Sequence, residues 1–158
     1  MCRVSDAVIS PDDPNADDVR LLLHRHLTFA RATTPPEDIH ALDLDGLLDP
    51  AISFFSCRAD GELLAIGALK HLDDGHAEVK SMHTAEAARG RGLGRAMLEH
   101  LLAVARKRGY GRVSLETGAQ DAFAPARALY ARTGFVVCGP FADYPDTATS
   151  VFMTRSLA

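Results

Sequence analysis

Apolar residues recur at helical spacing early in the chain and alternate like strand residues through its middle. Val19, Leu22, Leu23, His26 and Leu27 fall on one side of a helix expected over residues 17–28. Pro35-Pro36 interrupts the chain, and a second helix is expected over residues 37–48. Strands over 52–58 and 62–71 flank Asp60-Gly61, a hairpin signal, and Asp74-Gly75 turns into a further strand over 76–84. The strongest helical pattern spans 93–108, with Leu93, Met97, Leu101 and Ala105 on one face. Arg106, Lys107 and Arg108 in its last turn complement the helix dipole, and Gly109 supplies a left-handed cap. A strand over 112–116, a helix over 125–132 ending at Gly134, and strands over 135–139 and 149–156 complete the pattern, and a strand over 4–10 precedes it. The order β-α-α-β-β-β-α-β-α-β-β describes an α/β chain: a mixed sheet with helices on both faces. With no repeat and no linker, residues 1–158 are expected to form a single domain.

A chain of 158 residues buries roughly 70% of its extended surface and needs neither a metal nor a disulfide to hold its core. The longest strongly apolar run, 63–69, is too short to cross a bilayer. Asp6 and Asp12 stand where a secretion signal would be basic and then apolar. Cys2, Cys57 and Cys138 have neither disulfide-framework nor metal-site spacing, which reads as reduced, cytoplasmic and metal-free.

Charge is unevenly divided. Residues 1–78 carry 15 acidic against 6 basic side chains, whereas 79–158 carry 6 against 11, within a net charge of −4. A basic half suits a polyanionic cofactor and an acidic half a cationic substrate. The pI of 5.9, without a basic stripe interleaved with aromatics, argues against a nucleic-acid partner.

The most informative segment is Arg89-Gly90-Arg91-Gly92-Leu93-Gly94-Arg95, between a strand and the long helix. Glycines allow a tight turn and close backbone approach, and the first N–H groups of the helix have no intrahelical partner. With the positive end of the helix dipole they form an anion site suited to a pyrophosphate. A P-loop would need Gly-Lys-Ser/Thr, absent here. A dinucleotide fingerprint counted from Gly90 puts Arg95 at its third glycine, although Glu116 ends the next strand where such folds place a ribose-binding acid.

Read as Arg/Gln-x-x-Gly-x-Gly/Ala, the residues Arg89, Gly92 and Gly94 resemble the coenzyme-A loop of the GNAT superfamily of N-acetyltransferases. Upstream, Ala77-Glu78-Val79-Lys80-Ser81-Met82-His83-Thr84 is similar to that family's fourth strand. Downstream, Ala126-x-x-Leu129-Tyr130-x-x-x-Gly134-Phe135 is similar to its last helix and turn. The resemblance covers about residues 52–156. It implies a GNAT-like acyl-CoA N-acyltransferase fold: a mostly antiparallel sheet whose central strand pair splays. It implies acetyl-CoA as co-substrate, with backbone groups of Met82, His83 and Thr84 holding the acetyl carbonyl and pantetheine. An N–H aimed at the thioester oxygen stabilises the developing oxyanion. The pyrophosphate would rest on Arg89, Gly90, Arg91, Gly92, Leu93, Gly94 and Arg95. The family often has Asn seven residues before the helix tyrosine, and this chain has Phe123.

The resemblance also implies catalysts. Tyr130 is the candidate general acid that protonates the departing thiolate. Freeing an alkylammonium of pKa about 10 at pH 7 costs about 4 kcal/mol, so some group must accept that proton. Glu78 matches the catalytic glutamate of protein-acetylating members, while His83 and Glu116 are further candidates. Strict alternation puts Glu78, Lys80 and Met82 on one face unless the family's β-bulge shifts the phase. Residues 24–34 and 140–144 are expected as pocket walls, with Phe141 and Tyr144 in contact with substrate or packed on their own protein. The acceptor implied is the amine of a small molecule, bound without nucleic acid or membrane by a monomer or homodimer. Protein N-terminal or lysine acetylation and a non-catalytic acyl-CoA-binding module remain as alternatives.

Overall fold

The computed structural model describes residues 6–157. Its strands are β1 (Val8–Pro11), β2 (Ile52–Ala59), β3 (Glu62–Asp73), β4 (His76–Thr84), β5 (Arg112–Gly118), β6 (Val136–Cys138) and β7 (Ser150–Ser156). They form one seven-stranded sheet in the order β1-β2-β3-β4-β5-β7-β6. All neighbours are antiparallel except β4 and β5. The helices are α1 (Asp17–Thr33), α2 (Leu44–Leu47), α3 (Leu93–Lys107) and α4 (Ala124–Arg132).

The β2–β3 hairpin turns at Asp60 and Gly61, both at positive φ (51° and 80°), the backbone signature of a two-residue turn that follows the strands' twist. Two apolar clusters sandwich the sheet. On one face Val19, Leu22 and Leu23 of α1 and Leu47 of α2 meet Phe54, Ile66 and Ala68. On the other, Leu93, Met97, Leu98, Leu101, Leu102 and Ala105 of α3 cover Leu69, Val79, Val113 and Leu115. Gly67 lets α3 approach, since a Cβ there would lie 2.7 Å from Met97 Cγ. Arg58 of β2 anchors the start of α1 through Asp18 (2.6 Å) and also bonds Asp12 (2.9 Å).

The second expected helix is not continuous. Residues 37–48 instead form a 3₁₀ turn at Pro36–Asp38, an extended stretch and the single turn α2. Asp43 stops and restarts the chain by accepting the Gly46 N–H at 2.9 Å, a side-chain cap that competes with helix propagation. α1 runs past the expected end at residue 28 to Thr33. The expected strand over 4–10 begins outside the described residues, and its described part pairs with β2 from Val8. Cys57 and Cys138 are free thiols, and Cys2 lies outside the described residues. No described helix is long and apolar enough to cross a membrane.

Two features of β4 position the site. It pairs in parallel with β5 only at His76–Arg112, Ala77–Val113 and Glu78–Ser114, after which the strands diverge. Its register on β3 then slips, because Ala68 faces Lys80 while Ile66 faces His83. Ser81 sits in this bulge at φ 55°. The extra residue changes the phase, so Glu78, Lys80 and His83, not Met82, share the face toward α1. Met82 packs with the α3 cluster.

Replacing Gly67 with valine should overpack the α3 interface and lower stability by roughly 1–3 kcal/mol in denaturant unfolding. An unchanged midpoint would mean that Met97 moves aside freely.

Candidate active site

The gap between β4 and β5 opens into a cleft of about 780 Å³, walled by the C-terminal part of α1, the 38–41 segment, α4 and the glycine loop. At one end Gly90 and Gly92 both adopt φ 78°, with open space where a Cβ would stand. Gly92 caps α3 in the left-handed conformation that glycine adopts without strain. The helical ladder starts with the Ala96 N–H donating to the Gly92 carbonyl at 3.0 Å, leaving the N–H groups of Leu93, Gly94 and Arg95 outside it. Gly94 lets the first turn of α3 pass close to α4, 3.3 Å from Leu129 Cδ2 to the Cβ it lacks. Arg89 and Arg95 line this end, and Arg89 Nε reaches the Thr84 carbonyl at 3.4 Å. Arg91 lines a separate, smaller recess with Leu63 and Leu64. Glycine backbone, free helix N–H groups and arginines together suit a diphosphate.

Met82, His83 and Thr84 line the middle of the cleft, beside the bulge. Ser81 Oγ is buried there without a hydrogen-bond partner among the described residues. Tyr130 of α4 lies at the cleft with its ring edge toward Phe135, 6.1 Å between centroids, so the expected packing is present. Burial, with the nearby charge of Glu116, pushes its phenol up to about 12. Phe123 also lines the cleft and stacks edge-on with Phe29 of α1 at 5.3 Å. Arg127 supports this corner by donating to the Gly118 and Gln120 carbonyls at 2.6 and 2.9 Å.

Carboxylates gather at the other end: Asp38, Glu78 and Glu116 line it with one ammonium, Lys80. Glu78 is 2% exposed. Its Oε2 accepts from the Tyr144 hydroxyl and from Lys80 Nζ at 3.3 Å, and Lys80 also donates to Tyr144 Oη at 2.6 Å. Burial and the adjacent Glu78 carboxylate hold the Tyr144 phenol far above its ordinary value. Glu116 is half-buried, and burial raises its carboxyl above the ordinary range despite a hydrogen bond with Ser150.

Sequence reading misplaces one wall. Phe141 and Tyr144 pack on each other and on Phe152 instead of lining the cleft, and Tyr144 touches the lining residues Glu78, Lys80 and His40. From the expected wall over 24–34, His26, Phe29, Ala30 and Thr34 do line it. His40 and Asp38 are lining residues that no motif announced. They reach the cleft because the 37–48 segment is not a continuous helix. Among the described residues no group of three or more His, Cys, Asp or Glu side chains is arranged for a metal.

Comparison with known proteins agrees with this architecture. The Acetyltransferase (GNAT) family profile matches residues 17–135. An uncharacterized N-acetyltransferase of Bacillus subtilis strain 168, YsnE, is 46% identical over 94% of this chain and 99% of its own. A protein of Azospirillum brasilense named IAA acetyltransferase is 34% identical over 94% of this chain and 97% of its own. Among solved structures, a Klebsiella pneumoniae protein named as an acyl-CoA N-acyltransferase superimposes with a TM-score of 0.82 at 28% identity, covering 96% and 98% of the two chains. With the splayed strands, the glycine loop and a profile match over most of the chain, this protein belongs to the GNAT family of acetyltransferases, whose members use acetyl-CoA.

Proposed function

We propose that this protein acetylates a primary amine of a small molecule, by direct transfer from acetyl-CoA in a ternary complex. A cytoplasmic location goes with this reading, because that is where acetyl-CoA is supplied. One observation carries it: the two ends of the cleft have opposite charge. Arg89, Arg95 and the free N–H groups of α3 suit the polyanionic donor, and Asp38, Glu78 and Glu116 outnumber Lys80 where a cationic acceptor would enter. The Azospirillum relative, named for the small molecule IAA, supports a small acceptor.

Acetyl-CoA supplies the activated acyl group, and the chain's own residues bind, orient and move protons. In this reading the loop from Arg89 to Arg95 holds the diphosphate, and the backbone of Met82, His83 and Thr84 holds the acyl and pantetheine groups. Tyr130 hands its hydroxyl proton to the departing sulfur. Its pKa of about 12 keeps the phenol protonated at working pH, so no alkaline limb from phenol ionisation is expected in the usual assay range. Among the candidate bases, Glu78 already neutralises Lys80 and accepts the Tyr144 hydroxyl. Glu116 is the better match, since burial moves its carboxyl toward neutrality and its charge acts directly on Tyr130. Glu78 then orders the acceptor end through the Lys80 and Tyr144 contacts.

A panel of small amines, amino acids and peptides, with thiol release as readout, tests the substrate class. Turnover confined to peptide amines would overturn the small-molecule reading. Gly92→Glu should abolish acetyl-CoA binding in calorimetry, because it brings a negative side chain into the diphosphate space; a stable variant with unchanged affinity would remove the loop from the site. Tyr130→Phe keeps the ring and should lower kcat by roughly 10²-fold while acetyl-CoA affinity holds. Normal turnover in that variant would end the acid assignment.

For the base, activity requires the ionised carboxylate. The rate should therefore fall as pH drops through the raised pKa of Glu116, and Glu116→Gln should remove this acid limb. Glu78→Gln should chiefly destabilise, by about 3–5 kcal/mol, since it strands the buried Lys80 ammonium. A well-folded Glu78→Gln protein lacking the acid limb would return the base to Glu78.

A further inference from the structure

One pair of titratable side chains in the cleft is unused by this mechanism. His83 is turned toward α1 by the bulge at Ser81, and His26 meets it from the partly buried side of α1. Their Nδ1 atoms are 3.1 Å apart, with the rings edge to face at 5.1 Å, and both rings line the cleft. An Nδ1-to-Nδ1 contact dictates the chemistry of the pair. One Nδ1 must carry the hydrogen and the other accept it, so a neutral pair has one bare Nε2 and one Nε2–H. The pair thus presents a lone pair to the cleft and can share a captured proton across the contact.

Resting on the amine-acetylation reading, we propose that His26 and His83 form a joint proton acceptor that frees the acceptor amine before it attacks. Amide formation from an alkylammonium breaks two of its N–H bonds, forms the C–N bond and breaks the C–S bond. The proton lost as the C–N bond closes passes through Glu116 and Tyr130 to the sulfur. The other must leave first, because the ammonium nitrogen has no lone pair. That N–H breaks as a new N–H forms at the bare imidazole Nε2; the proton is shared across the Nδ1 contact and then passes to water at the cleft mouth. Burial holds both rings neutral, near 4, so the lone pair is free at pH 7 and a captured proton is passed on to water instead of being held. The groups acting on His83 are its partner His26 and the charged Arg89 of the glycine loop and Arg25 of α1, all of which oppose its protonation. A diphosphate beside Arg89 offsets part of that opposition, so the pair becomes a better acceptor once the donor is bound.

Two variants separate proton capture from a simple tie between α1 and β4. His26→Asn retains a group able to bond His83 Nδ1 but cannot take up a proton, and His26→Phe keeps only the ring. Both should lower kcat at neutral pH by about 10²-fold for the alkylamine turned over fastest in the panel. The loss should shrink as pH approaches the amine's own pKa. It should also be smaller for that amine's β,β-difluoro analogue, which carries far more free base at neutral pH. Acetyl-CoA affinity and thermal stability should be unchanged in His26→Asn. Wild-type turnover by His26→Asn, or equal losses on both amines, would reduce the pair to a structural tie. If the wild-type protein acetylates no amine, the substrate reading fails separately. The pair is then judged by long-range ¹H–¹⁵N spectra of the acetyl-CoA-bound protein, which must show opposite tautomers for His26 and His83. Two Nε2–H tautomers would overturn it.

Discussion

Three residue pairs join β4 to β5, and the strands part beyond Glu78 and Ser114. That parting is the constraint on which the site depends. Backbone N–H and C=O groups along the separated edges lose their neighbouring strand, and each one left dry would cost about 1–3 kcal/mol. A ligand carrying amides of its own answers that need better than an apolar molecule would. The split does not unravel the sheet because each half is tied on its other side. β5 pairs with β7 along its whole length, from Arg112 to Gly118, and β4 is held by β3. α3 also packs across the α3-facing side of both strands through Leu93, Met97, Leu98 and Leu101.

The bulge at Ser81 then determines what faces the gap. A left-handed serine costs about 1–3 kcal/mol, and its buried hydroxyl finds no partner among the described residues. In return the phase change puts His83 on the same face as Glu78 and Lys80, and gives Met82 to the core. Without it, a methionine would stand opposite α1 and His26 would have no partner. Local strain here brings His83 onto the face of Glu78 and Lys80, from which strict alternation would have separated it.

Environment divides the labour among the acidic residues. Glu78 is surrounded by Lys80 and Tyr144, so its charge is already committed. Glu116, two residues past the last β4–β5 pair, has burial raising its pKa, with a Ser150 hydrogen bond and the Lys80 charge acting against it. Two carboxylates close to the same junction thus stand in different surroundings, one held by a cation and a phenol and the other raised by burial. The Lys80–Glu78–Tyr144 cluster also ties the β6–β7 loop to β4, so this end of the cleft is braced by an element remote in sequence.

The sequence by itself determined the elements whose signals are local. The hairpin at Asp60-Gly61, the apolar stripe of α3 and the glycine loop each depend on neighbours within a few residues, so the sheet, the long helix and the tight glycine turn before it were legible. The family pattern added Tyr130 to the cleft for the same reason, as one motif within a single helix and turn. Periodicity misled where a side chain overrode it: Asp43 capped a new turn and split the helix expected over 37–48. Tertiary structure alone decided the contacts that span the chain. Tyr144 on Glu78, His26 on His83 and Thr149 on Asp38 join residues 66, 57 and 111 positions apart. No spacing rule encodes such pairs, because they exist only once the β4 bulge and the parting of β4 from β5 have set which side chains share a face.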